Sequence, residues 1–360
     1  MAVAAADTVA ERRRSFVGGA SLTGRQGASN HAAACANGRG ACRAGRVDAN
    51  QSARSAALAM RSTRVLEFGY RFGREFPPHE ERWTVTYATL MVCLQLDRSN
   101  AGLLEIAGSL AERFEAGVIG IATCQPPQSM FNTVYVPADL IERDREAIKN
   151  RIANAEAEFR TALGARVKNI RWRPMMMFGP LSDCVAGEAR NADLVLANVD
   201  RGASSFDPSR NVNVGDLVMQ VGRPVLVVPA ALEKLRMERA IVGWNDTRES
   251  RRAIVDALPF LEQAAHVTVA EIADGSELAE VRLRLEDVVE WLKRHGVAAR
   301  GIAAPSSGDD ASRLNAIVEE QEADVIVAGA YGHSRLREWV FGGVTKDLLL
   351  NADVCSLVSH

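Results

Sequence analysis

Four glycines near the carboxyl end of the chain have a spacing suited to binding phosphate. Gly329 and Gly332 follow the apolar run ADVIVA, and Gly342 and Gly343 come after nine intervening residues. Glycine has no Cβ, so its backbone can approach a ligand closely and can adopt positive φ angles. The second pair has the pattern of a helix start, where backbone N–H groups bind anions. The spacing therefore predicts a phosphate-binding loop between a strand and a helix.

Polar side chains in this loop could add further ligand contacts. Ser334 and Arg335 lie between the two glycine pairs, and Thr345 places a hydroxyl beside the helix start. His333 also lies in the loop, but no Ser, Cys or carboxylate stands at a spacing that would make it a catalytic base. The alternative is that the glycines form only a tight connection that holds no ligand.

The strands that precede this loop must position it. Short apolar runs alternate with segments of helical spacing from about Trp83 onward, as in TLMVCLQLD followed by SNAGLLEIAGSLAERFEAG. This alternation is typical of parallel strands connected by helices. Ligands of doubly wound sheets bind beyond the carboxyl ends of the strands. The pattern therefore places the glycine loop at a ligand-binding edge.

The order of elements occurs twice. ADLVLANVDRG from Ala192 matches ADVIVAGAYGH from Ala323, and RPVLVVP matches VCSLVSH at the same offset. We therefore predict an α/β fold class with two tandem doubly wound parallel-sheet domains, residues 83–230 and 237–360, packed as a pseudo-dimer. The last strand would be an exposed edge in an isolated domain, so we expect it to pair with the other copy or with another chain.

Composition argues against several classes of partner. The net charge of −2 gives no general affinity for nucleic acid or for anionic membranes, and no stretch approaches the roughly 18 apolar residues of a membrane span. The six cysteines form no C-x-x-C pair and no metal-ligand spacing, which is typical of buried thiols in a reducing compartment. The sequence thus predicts a cytoplasmic protein without a metal site.

Residues 1–82 differ in composition from the remainder. They are rich in Ala, Gly, Ser and Arg and show no lasting hydrophobic period. We expect a disordered extension, or a segment added by a misassigned upstream start codon, outside the folded domains. An Arg- and Ser-rich, acid-poor start could also be a transit peptide.

With these motifs the chain resembles the universal stress protein family, whose ATP-binding members carry G-x2-G-x9-G followed by Ser or Thr. Gly329, Gly332 and Gly342 fall on the family's glycines. Gly343 stands where the family has Ser or Thr, which removes one hydroxyl but no backbone donor. The resemblance implies a Rossmann-like, adenine nucleotide alpha hydrolase-like fold. The ligand contacts that it implies are Asn245, Thr247, Ile272, Gly329, Gly332, His333, Ser334, Arg335, Gly342, Gly343, Val344 and Thr345.

The two copies differ at the family's other contact, an Asp that ends the first strand, usually in D-x-S. The first copy has Asp97-Arg98-Ser99, but Asn198 and Arg201 replace its loop glycines. The second copy keeps the glycine loop and has Asn245-Asp246-Thr247 instead. Asn245 can still hydrogen-bond a ribose or a phosphate-bound water, although it brings no charge to a metal ion. The resemblance therefore implies a nucleotide in the second copy and a degenerate loop in the first.

The function implied is that of an adenine-nucleotide (ATP) binding protein in bacterial stress response or signalling. ATP, with or without Mg²⁺, would be the cofactor, with at most weak hydrolysis and no catalytic residue. The alternative is a stress-response interaction or dimerisation module that binds no nucleotide. Either reading is compatible with a homodimer or an intramolecular pseudo-dimer. A P-loop enzyme is disfavoured because the chain has no G-x4-G-K-[ST] motif.

Overall fold

The computed structural model describes residues 86–126, 138–199, 209–330 and 353–360, all of which fall within the unit His79–His360. The first half alternates strands and helices as the sequence predicts. Its elements are β1 (Thr89–Leu94), α1 (Ala101–Phe114), β2 (Gly117–Cys124), α2 (Ala138–Leu163), β3 (Ile170–Met176), α3 (Leu181–Glu188), β4 (Leu194–Val199), α4 (Val214–Gln220) and β5 (Val225–Pro229).

The second half repeats this order. Its elements are β6 (Arg239–Trp244), α5 (Arg248–Asp256), α6 (Leu258–Leu261), β7 (His266–Ala273), α7 (Leu278–Arg294), β8 (Ala299–Pro305), α8 (Asp310–Glu320), β9 (Val325–Gly329) and β10 (Cys355–Ser359). The helix that would precede β10 falls on residues outside the described ranges.

The strands form one ten-stranded sheet in the order β3-β2-β1-β4-β5-β10-β9-β6-β7-β8. Counted inward from either edge, each half contributes its third, second, first, fourth and fifth strands in that order. The two halves are therefore related by a pseudo-two-fold axis. Neighbouring strands are parallel except at the centre, where β10 pairs antiparallel with β5 and Leu357 lies opposite Leu226. The prediction of two tandem α/β domains packed as a pseudo-dimer is confirmed, and the last strand pairs with the other copy.

Helices cover both faces of the sheet. One face carries α1, α2, α5, α6 and α7, whose apolar side chains share a single core with both halves. On the other face, α3 and α4 pack on the first half, while α8 packs on the second. The side chains of the inner strands are almost completely buried, as expected of parallel strands enclosed by helices, whereas the edge strands β3 and β8 are partly exposed. The sheet is therefore doubly wound in each half.

The apolar spacing of ESRRAIVDALPFLEQA predicts a single helix, but the structure has two short helices there. The chain leaves α5 at Asp256 and enters α6 at Leu258, with Pro259 in the first turn of α6. Proline has no N–H and its ring clashes with the carbonyl four residues earlier, so a helix cannot run through it undisturbed. The corresponding helix α1 has no proline and is continuous over 14 residues.

Gly120 in β2 permits a close contact between the sheet and α2. A Cβ at this position would lie 2.8 Å from the ring of Phe159 and 2.9 Å from that of Trp172. We expect Gly120→Ala to lower the free energy of unfolding by about 1–3 kcal/mol, because both rings are held in a packed core. Urea denaturation measures this. Gly187→Ala in α3, where a Cβ meets nothing within 4 Å, is the control, and an equal loss in both variants would contradict the prediction.

Candidate functional site

The second half has its topological switch point between β6 and β9, which are adjacent and parallel. The strand order reverses here, since the chain continues from β6 to β7 on one side and from β9 to β10 on the other, and doubly wound sheets bind ligands at such a reversal. Asn245 follows β6 directly, Gly329 ends β9, and Ile272 is the penultimate residue of β7. Thr247 caps the amino end of α5. The structure thus brings four of the predicted contacts to one edge of the sheet.

Hydrogen bonds fix the orientation of the Asn245 side chain. Its Oδ1 accepts from the Thr247 hydroxyl at 3.0 Å and from the Ser250 hydroxyl. Thr247 Oγ1 in turn accepts from the Ser250 backbone N–H at 3.3 Å, which satisfies one of the unpaired donors at the helix start. Because the Asn245 oxygen is occupied within the chain, its amide N–H₂ is the group left for a ligand.

Asp246, between these two residues, has a left-handed backbone with φ +50°. Asp tolerates this conformation better than most residues. Arg251 donates to the Asp246 carbonyl at 2.9 Å and to its carboxylate at 2.8 Å, which holds the turn in place. Such backbone conformations concentrate at functional sites, where the surrounding contacts enforce them.

Gly329 lies against the first turn of α5. A Cβ there would be 2.5 Å from both the Glu249 carbonyl carbon and the Ser250 nitrogen. Gly329 is an extended strand residue without a positive φ. Of the two properties of glycine named above, the freedom to adopt positive φ is therefore not used at this position. The helix backbone, rather than a ligand, is sufficient reason for glycine at this position.

A buried carboxylate lies at the same helix start. Glu249 is 3% exposed and forms an ion pair with Arg248. Burial raises the pKa of the Glu249 carboxyl, but hydrogen bonds from Arg248 and from the backbone outweigh this and hold the pKa below its ordinary value. The carboxylate stays ionised, and its charge is neutralised by the guanidinium beside it.

The other predicted contacts lie outside the described residues. They are Gly332, His333, Ser334, Arg335, Gly342, Gly343, Val344 and Thr345. They follow β9 in the sequence and therefore begin at the switch point. Their role in binding stays a prediction.

In the first half, Asp97, which the D-x-S motif matches to Asn245, has a partner within the chain. Asp97 forms an ion pair with Arg151 of α2 at 2.5 Å. Asn198, which replaces the glycine of β9, is 9% exposed, and its Oδ1 has no partner in the described part of the chain. Arg201, the second replacement, lies outside the described residues. The Asp97 carboxylate is thus already paired with a cation before any ligand is considered.

The helix that follows β4 also differs from a phosphate site. Asn213 caps α4 by accepting from the Asp216 N–H at 3.0 Å, and the Asp216 carboxylate lies in the first turn. A carboxylate at a helix start interacts favourably with the helix dipole but would repel phosphate there. This end of the first half is therefore poorly suited to a nucleotide.

Within the described ranges, no three or more His, Cys, Asp and Glu side chains form a group that could hold a metal ion. No described helix is both long and apolar enough to cross a bilayer. The four described cysteines are buried and free, and burial raises the pKa of Cys93 and of Cys355 to about 12. These thiols are inert core residues, as the sequence predicts.

Sequence reasoning missed Ser250 and the Asp246–Arg251 pair. The spacing T-x-x-S resembles a helix-capping pattern and could have indicated that Ser250 lies beside Thr247. The Arg251 contact had no comparable signal, since it depends on the left-handed turn at Asp246.

The comparisons with known proteins agree with this architecture. The model of the universal stress protein family matches residues 237–360, and no curated protein matches the chain. A universal stress protein from Archaeoglobus fulgidus is similar in structure, with 15% identity over 75% of this chain and 95% of that one and a TM-score of 0.57. A functionally unknown protein from Pseudomonas aeruginosa PAO1 gives 12% identity, coverage of 76% and 92%, and a TM-score of 0.48. The likeness to the A. fulgidus protein shows the fold.

Proposed function

Because residues 237–360 form a domain of the universal stress protein family, we propose that this domain binds an adenine nucleotide, ATP, at the switch point between β6 and β9. The observation that carries the proposal is the position of the glycine spacing. Gly329 ends β9 at the switch point, and Gly332 and Gly342 follow at the family's intervals. Backbone N–H groups of such a loop would hold phosphates.

The described contacts fit this ligand. Within the described part of the chain nothing accepts a hydrogen bond from the Asn245 amide N–H₂, which could donate to a ribose hydroxyl at the edge of the sheet. Ile272 lies on the adjacent strand and packs on the face covered by α8, where it could contact an adenine ring. The neutral Asn245 adds no charge for Mg²⁺, so we propose that ATP binding depends little on the metal.

We propose further that the first half, residues 83–230, does not hold the nucleotide. The Asp97–Arg151 ion pair and the Asp216 carboxylate at the start of α4 support this assignment. Its contribution would be the other half of the pseudo-dimer, joined through β5 and β10. A cytoplasmic role in stress response or signalling, with at most slow ATP hydrolysis, completes the proposal.

Calorimetric titration of ATP into the full chain tests the nucleotide site. Gly332→Val should weaken ATP binding by about tenfold or more, since lost charge-assisted phosphate hydrogen bonds are worth roughly 1.5–3 kcal/mol each. Arg201→Ala, at the matching position of the first half, is the control and should bind ATP as the wild type does. Circular dichroism verifies that both variants fold.

Two results would reject the proposal. One is equal ATP affinity in all three proteins, and the other is no ATP binding by the wild type with or without Mg²⁺. Either would favour the alternative of an interaction and dimerisation module that binds no nucleotide.

A further inference from the structure

A cavity of about 430 Å³ lies between α5 and α7. It is on the sheet face opposite to Ile272, because Trp244 belongs to the core shared with α5 and α7, whereas Ile272 packs against the core of α8. The described nucleotide contacts Asn245, Thr247, Ile272 and Gly329 do not line the cavity, which shares only the Asp246–Arg251 turn with the candidate site. Its lining residues are Trp244, Asp246, Arg251, Ile254, Val255, Arg284, Asp287, Val288 and Trp291.

The first half shows why the cavity is open on the α5 side. When Thr247, the cap of α5, is placed on Asn100, the cap of α1, the lining residues of α5 fall on Leu104, Ala107 and Gly108 of α1. These three are completely or almost completely buried, and α1 packs directly along α2. In α5 an arginine replaces the leucine, and Val255 is 48% exposed. The apolar contact that packs α1 against α2 in the first half is therefore missing between α5 and α7 in the second.

The α7 side differs in a corresponding way. When Ile148 and Phe159 of α2 are placed on Val281 and Leu292 of α7, Glu158 falls on Trp291. Glu158 accepts hydrogen bonds from the Ser99 hydroxyl at 3.2 Å and from the Asn100 N–H at 2.9 Å, which connects α2 to the start of α1. Tryptophan cannot accept such bonds. The groove that polar contacts close in the first half is lined by an indole ring in the second.

Two ion pairs hold three of the four charged side chains that line the cavity, and the fourth is Asp287. Arg251 forms an ion pair with Asp246 at 2.8 Å, and Arg284 forms one with the buried Glu271 at 2.6 Å. The lining itself has two arginines and two aspartates, so it carries no net charge. A charged ligand would have to compete with these pairs and lose its hydration, which is costly. The lining therefore favours an uncharged molecule.

Two buried N–H donors beside the cavity have no acceptor. They are Trp244 Nε1 and Arg284 Nε, which have no hydrogen-bond partner among the described residues. Leaving a buried donor unpaired costs about 1–3 kcal/mol. Solvent scarcely reaches either N–H in the unliganded chain, so a ligand acceptor would recover part of this cost once the side chain turns toward the cavity. The indole rings of Trp244 and Trp291 offer faces and edges suited to aromatic contact.

We propose that this cavity binds an uncharged aromatic ring compound that carries a hydrogen-bond acceptor. Its volume is within the usual range of small-molecule sites, roughly 300–1,000 Å³. The two tryptophans and the aliphatic residues contact the ring, and the unpaired N–H donors bind the acceptor.

Coumarin, an uncharged fused ring with a carbonyl, is a suitable probe, and naphthalene is its counterpart without an acceptor. We expect coumarin to bind the full chain about tenfold or more tightly than naphthalene. In ¹H–¹⁵N spectra, coumarin should shift the indole N–H resonance that is absent from Trp244→Phe. That variant keeps the ring but removes the donor, so its affinity for coumarin should fall to that for naphthalene.

Filling the cavity supplies a second, independent test. Val255→Trp adds a large side chain at a half-exposed lining position and should weaken coumarin binding by about tenfold or more. The control is Leu283→Trp, at a position of α7 that is 64% exposed and does not line the cavity. Both variants should bind ATP as the wild type does, so failure of this proposal is distinguishable from failure of the nucleotide site. No coumarin binding, equal affinity for the two probes, or unchanged coumarin affinity in Val255→Trp would overturn the proposal.

Discussion

Gly329→Ala is expected to lower the free energy of unfolding by about 3 kcal/mol or more, at or above the upper end of the usual cost of overpacking a core. The added methyl would lie 2.5 Å from two backbone atoms of α5 and 2.8 Å from the Glu249 Cβ. Backbone cannot change rotamer to make room, so the whole first turn of α5 must move. That turn includes the Thr247 cap and the buried Glu249.

Urea denaturation of Gly329→Ala beside Gly243→Ala measures this effect. Gly243 lies in β6, the strand adjacent to β9, and a Cβ there would meet its nearest atoms at 3.7–3.9 Å, an ordinary contact. Gly243→Ala should therefore be nearly neutral. If the two alanines cost the same, the close approach of α5 to β9 is not the reason for glycine at position 329.

This contact also affects how nucleotide binding is tested. A substitution at Gly329 would displace Ser250 and with it the hydrogen bonds that orient Asn245. Loss of ATP binding in Gly329→Ala would thus report a moved helix as readily as a lost ligand contact. Gly332, which the same glycine spacing singles out, is the better position for the binding experiment.

The fold could be predicted from the sequence because its signals are local or repeated. Each buried strand is a short apolar run. The similar segments ADLVLANV and ADVIVAGA occupy the same place in the two halves, so each supports the assignment of the other as a strand. The need to cover the edge of the last strand predicted that it pairs with the other copy or with another chain, and the structure has the first of these, with β10 on β5. The break at Pro259 was missed because the apolar spacing continues through it, although proline is itself a signal of interruption.

Of the contacts that the family resemblance implies, Asn245 and Thr247 are placed at the expected edge of the sheet, while their contact with a nucleotide stays a prediction. Asn245 and Thr247 follow a strand at the switch point, and any residue there reaches the ligand-binding edge. The approach of Glu249 to Gly329 joins residues 80 positions apart, and no spacing in the sequence encodes such a distance. The cavity was missed for a similar reason, since Trp244 and Trp291 each fit an apolar period and only the separation of α5 from α7 exposes them.

Glu271 illustrates the same limit and leads to the second large effect. It occupies a strand position in HVTVAEIA, and its side chain is 6% exposed on the face beneath α7. Its charge is balanced by Arg284, whose Nη2 donates to Oε1 at 2.6 Å. The interaction with the Glu271 carboxylate, chiefly through this hydrogen bond, raises the pKa of Arg284 above its ordinary value, so the guanidinium stays charged at every pH at which the chain is folded.

Arg284→Ala is expected to destabilise the chain by about 3 kcal/mol, because it leaves the Glu271 carboxylate buried without its cation. The double variant Glu271→Leu/Arg284→Met should recover most of this loss, since a buried ion pair replaced by apolar side chains of similar size is often tolerated. Arg282→Ala, at an exposed position of the same helix, controls for loss of an arginine from α7 and should stay within about 0.5 kcal/mol of the wild type. Urea denaturation of the three variants decides the matter. A single variant that is no less stable than the double one would show that the Glu271 carboxylate does not need Arg284, and that the charge beside the cavity is balanced in some other way.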